Sequence, residues 1–133
     1  MSTEINKQVA QTYFAALGRY DIDGMRACMT DDATWWIVPG TSFSGLHPKE
    51  TFLSYIPKLF DGTVGRLDFE PFEITAEDNR VIIVTKGNLQ FNDGRVYASN
   101  YCFVLTFRDG KIVSGKEFLD PIHVNEIFGG PES

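Results

Sequence analysis

The chain has 133 residues, enough for one domain with a real core, and 14% of them are aromatic, including 11 phenylalanines. A net charge of −6, with no basic run, excludes an electrostatic grip on nucleic acid or an anionic membrane surface. No apolar stretch is long enough to span a bilayer, and the start MSTEINKQ has no secretory-signal pattern, so the expectation is a cytoplasmic protein with residues 1–133 forming a single domain.

Ser2 and Thr3 can cap a first helix whose apolar face is Ile5, Val9, Tyr13, Ala16, Leu17 and Tyr20. Gly18 ends it, and Asp21 is an N-cap for a short second helix carrying Ile22, Met25, Cys28 and Met29. Asp31 and Asp32 mark a turn, Ala33 to Val38 reads as a strand, and Pro39-Gly40 stops it. A loop with Phe43 and Gly45 leads to Pro48, which suits the start of a third helix with Phe52, Ile56, Leu59 and Phe60 as its buried stripe.

From there the pattern is of strands. Leu67 to Thr75 alternates, with Pro71 marking an edge or a bulge. Arg80 to Phe91, Arg95 to Arg108 and Lys111 to Leu119 follow, joined by tight turns at Asn92-Asp93-Gly94 and Asp109-Gly110. Pro121 opens a short tail with helical character. Helices first and a meander afterwards give an α+β fold. The expected architecture is a cone-shaped α+β barrel, with three N-terminal helices on a strongly curved, mainly antiparallel sheet that encloses a pocket.

Strand parity sorts the side chains. Tyr97, Ser99, Tyr101, Phe103, Leu105 and Phe107 share an aromatic face that should look into the pocket. The opposite face, with Ala98, Asn100, Cys102, Val104 and Thr106, is small and uncharged, which predicts a second copy of the chain covering it as a homodimer. In the last strand Val113, Gly115, Glu117 and Leu119 share a face, so Glu117 is a carboxylate among apolar neighbours and a candidate acid or base. The competing explanation is a strand-end glutamate paired with a lysine or arginine.

The block VAQTYFAALGRYDIDGMRACMTDDAT resembles the start of ketosteroid isomerase and of the SnoaL-like polyketide cyclases, within the nuclear transport factor 2-like superfamily. The stretch YASNYCFVLTFRDGKIVSGKEFLD is similar to the last two strands of SnoaL-like proteins. In ketosteroid isomerase an aspartate base works with a tyrosine and a protonated aspartate that donate to the oxyanion. The resemblance places the first-helix tyrosine on Tyr13, through Q-x-Y-x-A-A-L, as a hydrogen-bond donor to a developing oxyanion. The base position falls on Ile37, or on Val38 by way of the following proline, and the acidic donor falls at or near Phe103; none of these can move a proton. Any acid–base group must therefore come from elsewhere, with Glu117 the foremost candidate.

The expected catalytic pair is thus Glu117 and Tyr13, and the expected ligand-binding residues are Trp35, Ile37, Phe52, Tyr101, Phe103, Leu119, His47 and Asn100. His47 has a competing role as a helix-start cap, and Asn100 carries the wrong parity for the aromatic face. His47 and His123 lack metal-ligand spacing, and no nucleotide-binding or nucleophile-elbow motif occurs, so no metal and no cofactor are expected. Two functions fit: a cofactor-free isomerase, cyclase or lyase acting on a small, largely apolar carbonyl compound, or a non-catalytic module that binds a small ligand or another protein.

Overall fold

The computed structural model describes residues 2–131. Helix α1 (Thr3–Gly18) is capped by Ser2, whose Oγ accepts the Ile5 N–H at 3.2 Å. Its buried face is Asn6, Ala10, Tyr13, Phe14, Ala16 and Leu17. Ile5 and Tyr20, expected on that face, are 40% and 39% exposed. The packed stretch is the middle of the helix, so Ala10 and Phe14 replace the two ends. Asp21 caps α2 (Ile22–Ala27), accepting the Gly24 N–H at 2.9 Å.

Strand β1 (Met29–Ile37) begins earlier than expected. Asp31 and Asp32 lie inside it, where the register with the neighbouring strand slips between Met29 and Thr34. The expected loop after Pro39 contains a short strand, β2 (Gly45–Pro48), paired antiparallel to β1. Four residues are too few for alternation to show in the sequence. The expected third helix is two, α3 (Lys49–Leu53) and α4 (Ile56–Phe60). Pro57 sits at the start of α4 and has no N–H to continue the preceding turn.

Strands β3 (Thr63–Glu77), β4 (Arg80–Phe91), β5 (Val96–Arg108) and β6 (Lys111–Phe118) form the meander, and α5 (Pro121–Phe128) follows. The sheet order is β2-β1-β6-β5-β4-β3, antiparallel throughout except for the parallel β1–β6 pair. The cone is not a closed barrel: β2 and β3 are edges that do not pair with each other. Pro71 lies on the edge strand β3, where the register shifts between Phe69 and Phe72.

Residues of β4 alternate between exposed and buried along its whole length, and the inward row of β5 from Tyr97 to Phe107 is buried throughout. The bend of β5 is visible in one pair. Tyr97 and Tyr101 are four residues apart, about 13 Å on a flat strand, yet their ring centres are 6.5 Å apart. In β6 the register jumps so that Phe107 faces Ile112 while Thr106 faces Ser114. Val113 is the extra residue, so Ile112 takes the inward place expected for Val113, and Gly115 and Glu117 keep theirs. Helix α1 lies against β3, β4 and β6, closing the concave side. No helix among the described residues is long and apolar enough to cross a membrane.

Candidate functional site

Glu117 sits on β6, between the two strands that matter most to it. In register it stands beside Ile37 on β1 and beside Phe103 on β5. Two residues earlier Gly115 stands beside Trp35. The Trp35 indole lies directly over Gly115: a Cβ there would come within 2.2 Å of the ring. That close approach carries the indole along β6 until its Nε1–H donates to Glu117 Oε1 at 2.8 Å. Trp35 is 1% exposed, stacked between Tyr13 (5.4 Å) and Phe52 (4.8 Å).

Burial raises the Glu117 carboxyl to about 7, against a smaller lowering by the Trp35 N–H. No lysine or arginine among the described residues forms an ion pair with it, which disposes of the strand-end ion pair as an explanation. The acid is held by one neutral donor in an apolar wall, and it titrates where a proton shuttle at neutral pH should.

The wall belongs to a cavity of about 80 Å³, room for more than one water. Among the described residues Glu117 is the one carboxylate lining it, and it is half-buried. Of the residues expected to bind a ligand, Ile37, Phe52, Tyr101, Phe103 and Leu119 line it. So do Tyr97 and Tyr55, together with Val124 and Phe128 of α5. Asn125 Nδ2 ties this helix to the Gly40 carbonyl (2.8 Å), and Phe128 packs edge-on to Tyr97 and Phe43.

Four of the expected site residues do not line the cavity. Trp35 acts from behind, through Glu117. Tyr13 lies farther back, on the side of the indole away from Phe52. Its hydroxyl is buried with no hydrogen-bond partner, and burial, with the Glu117 charge adding to it, pushes its pKa well up. Such a phenol stays protonated, but it does not line the cavity. His47 braces two lining residues: Nε2–H donates to the Phe43 carbonyl at 2.7 Å, and Nδ1 faces the Tyr55 hydroxyl at 3.5 Å. Asn100 is exposed on the outer face, as its parity dictates.

Sequence reasoning passed over Tyr97 as a site residue, although it shares the parity of Tyr101. Val124 and Phe128, four apart on a helix, carried a signal only in their spacing. His123 of α5 stacks on Tyr97 (5.4 Å) and accepts the Ala98 N–H at Nε2 (3.0 Å), so it serves to seat the helix. Among the described residues no group of three or more His, Cys, Asp or Glu could hold a metal ion. Both cysteines are free, Cys28 buried and Cys102 half-buried.

Known structures share this architecture. An NTF2-like protein from Burkholderia xenovorans LB400 is 26% identical, with a TM-score of 0.77 over 95% of this chain and 97% of its own. Bal32a, from a soil-derived mobile gene cassette, is 19% identical with a TM-score of 0.82, covering 95% of this chain and 98% of its own. TerC, co-crystallised with polyporic acid, is 20% identical with a TM-score of 0.77, covering 93% and 98%. No curated protein matches the sequence. The sequence profile of the SnoaL-like domain matches residues 10–115, and with the helix, strand and cavity arrangement above the chain belongs to the SnoaL-like family of the NTF2-like superfamily.

Proposed function

We propose that the chain is a cofactor-free acid–base catalyst that moves a proton within a small, largely apolar carbonyl compound held in the cavity. The carrying observation is Glu117, a lone carboxylate on an aromatic and aliphatic wall, with a single neutral hydrogen-bond partner. Its register adds support. The resemblance puts the base of ketosteroid isomerase on Ile37 or Val38 and its acidic donor at or near Phe103, and Glu117 stands in register with both Ile37 and Phe103. One carboxylate on the strand between thus stands in for the missing base. TerC, a relative in fold, was co-crystallised with polyporic acid, which is consistent with an organic occupant for the cavity.

The test works before any natural substrate is identified. Simple cyclic ketones and enones are incubated with the protein in D2O, and deuterium entry beside the carbonyl is followed by NMR. Wild type is expected to exchange at least one of them about 100-fold faster than Glu117→Gln. Equal rates for the two proteins, or no exchange by wild type with any compound that binds, refute the proposal and leave the non-catalytic ligand-binding reading.

The outer sheet face supports a further part of this reading, a homodimer. Val84, Cys102 and Phe118 form one row across β4, β5 and β6, with Val84 48% and Phe118 40% exposed, and Trp36 packs on Phe118 at 5.2 Å. A second copy laid on this face would remove that apolar surface from water. Sedimentation should find a dimer that Val84→Lys dissociates; a wild-type monomer at micromolar concentration removes this part.

A further inference from the structure

Tyr97 and Tyr101 are 2% and 7% exposed, both line the cavity, and their hydroxyls are hydrogen-bonded to each other. Their positions are built in. Tyr101 stacks on Phe103 (5.0 Å, 14° between planes), and Gly87 makes room for its ring, since a Cβ there would lie 2.9 Å from Tyr101 Cε2. Tyr97 is held between the His123 ring and Phe128.

Two hydroxyls carry two protons, and their mutual bond uses one. The other has no well-placed acceptor among the described residues: Ser99, between them on the same face, stands close enough to Tyr97 to oppose part of the rise in its pKa, but its Oγ–H donates to the Asn100 carbonyl (3.3 Å) and its Oγ accepts the Asp120 N–H (3.3 Å). A spare O–H beside hydrocarbon walls costs free energy until an oxygen arrives to accept it. Burial raises both phenols above their ordinary range, so the donor persists at any physiological pH. Glu117 stands opposite Phe103, the next inward residue after Tyr101. Diagonal neighbours of this kind have Cβ atoms about 7–8 Å apart, so a single ring can touch both.

We propose that Tyr97 and Tyr101 form the carbonyl-binding donor of this site, and that the ligand is a flat, uncharged cyclic ketone or enone of one or two rings. Its carbonyl oxygen accepts the spare hydroxyl proton while an adjacent C–H faces Glu117. This assignment rests on the acid–base reading of Glu117, and it places on β5 the role that the family resemblance gives to Tyr13. In the reaction the carboxylate takes the proton as the C–H bond breaks. The electron pair moves to the carbonyl oxygen, giving an enolate held by the tyrosine O–H. The carboxylic acid then returns the proton to the same carbon, or to the far end of the conjugated system with a shift of the double bond. No electron is gained or lost overall.

The probe is 2-cyclohexen-1-one labelled with 13C at the carbonyl, read by difference infrared spectroscopy and titrated by NMR. Wild type and Glu117→Gln should both bind it with the C=O band shifted to lower wavenumber. Tyr97→Phe and Tyr101→Phe, which each leave one hydroxyl, should keep part of the shift. The double variant should lose the shift and bind about tenfold more weakly. Near-UV circular dichroism checks that each variant is folded, and the single variants carry the test should the double one not be. An unshifted band in wild type, the full shift surviving in the double variant, or no saturable binding by wild type overturns the proposal. Proton transfer and carbonyl binding are read separately. A tyrosine-dependent shift with exchange unaffected by Glu117→Gln would refute the glutamate's role and spare the tyrosines, and the converse pattern would do the opposite.

Discussion

The block from Val9 to Gly40 and the hairpin of β5 and β6 meet at the same cavity, yet they bring different groups to it. The block supplies hydrocarbon and scaffolding: Ile37 on the wall, Trp35 behind Glu117, Tyr13 behind Trp35. The hairpin supplies the polar atoms, Glu117 and the Tyr97–Tyr101 pair. The block is the part that most resembles ketosteroid isomerase, and it has no group on the cavity wall able to move a proton. On the proposed function, a fold's opening keeps its packing pattern while a different pair of strands carries the chemistry, because packing constrains volume and spacing whereas a carboxylate needs only a wall to stand on.

The sharpest way to break that comparison is Glu117→Gln. Beyond the loss of exchange, its stability should respond to pH. A carboxyl at about 7 in the folded protein, against an ordinary value of 4.5, binds its proton more tightly folded than unfolded. Wild-type stability should therefore fall by about 3 kcal/mol as pH rises from about 4 to 8, through the folded-state value, with no further loss from this group above that. Urea unfolding across this range should show the decline in wild type and not in Glu117→Gln, which becomes the more stable protein at pH 8. Parallel pH curves for the two would mean that the carboxylate is not buried as described.

Next in size is Gly115→Ala. Its methyl would overlap the Trp35 ring, so the indole must move or the strands must part, at a cost of about 2 kcal/mol in urea unfolding. The same substitution should shift the Glu117 titration, because the Trp35 donor leaves with the ring. Trp35→Phe isolates that hydrogen bond. It should cost about 1 kcal/mol beyond the packing change and raise the Glu117 midpoint above that of wild type, read from the carboxyl 13C shift.

The smallest effect belongs to Tyr13→Phe. Removing a buried hydroxyl that has no partner should leave stability unchanged or raise it by up to about 1 kcal/mol. Exchange should stay within about twofold of wild type. A large loss of exchange would return the oxyanion role to the first helix and undo the contrast between block and hairpin.

Strand parity made much of this legible in the sequence. The inward row of β5 and the inward placement of Glu117 and Leu119 follow from alternation alone, as does the outward placement of Asn100. Parity lost its hold where the backbone slips: the bulge at Val113 brings Ile112 inside, and the irregular start of β1 absorbs two aspartates that read as a turn. The break between α3 and α4 was written in Pro57, a residue whose missing N–H is a local fact. Depth was harder. That Tyr13 and Trp35 stand one behind the other depends on how a helix packs on a sheet, and neither helical nor strand spacing encodes it. The hydroxyl pairing of Tyr97 with Tyr101 depends on the bend of β5, which alternation does not reveal.

Trp35 and Trp36 are neighbours in sequence on a strand whose side chains alternate. One indole is bonded to the carboxylate at the cavity wall; the other rests against Phe118 on the outer face of the sheet. The protein therefore carries two optical reporters one residue apart that look in opposite directions. Emission from Trp35, isolated by Trp36→Phe, should follow the ionisation of Glu117 and the arrival of a ligand. Emission from Trp36, isolated by Trp35→Phe, should follow whatever comes to lie on the outer sheet.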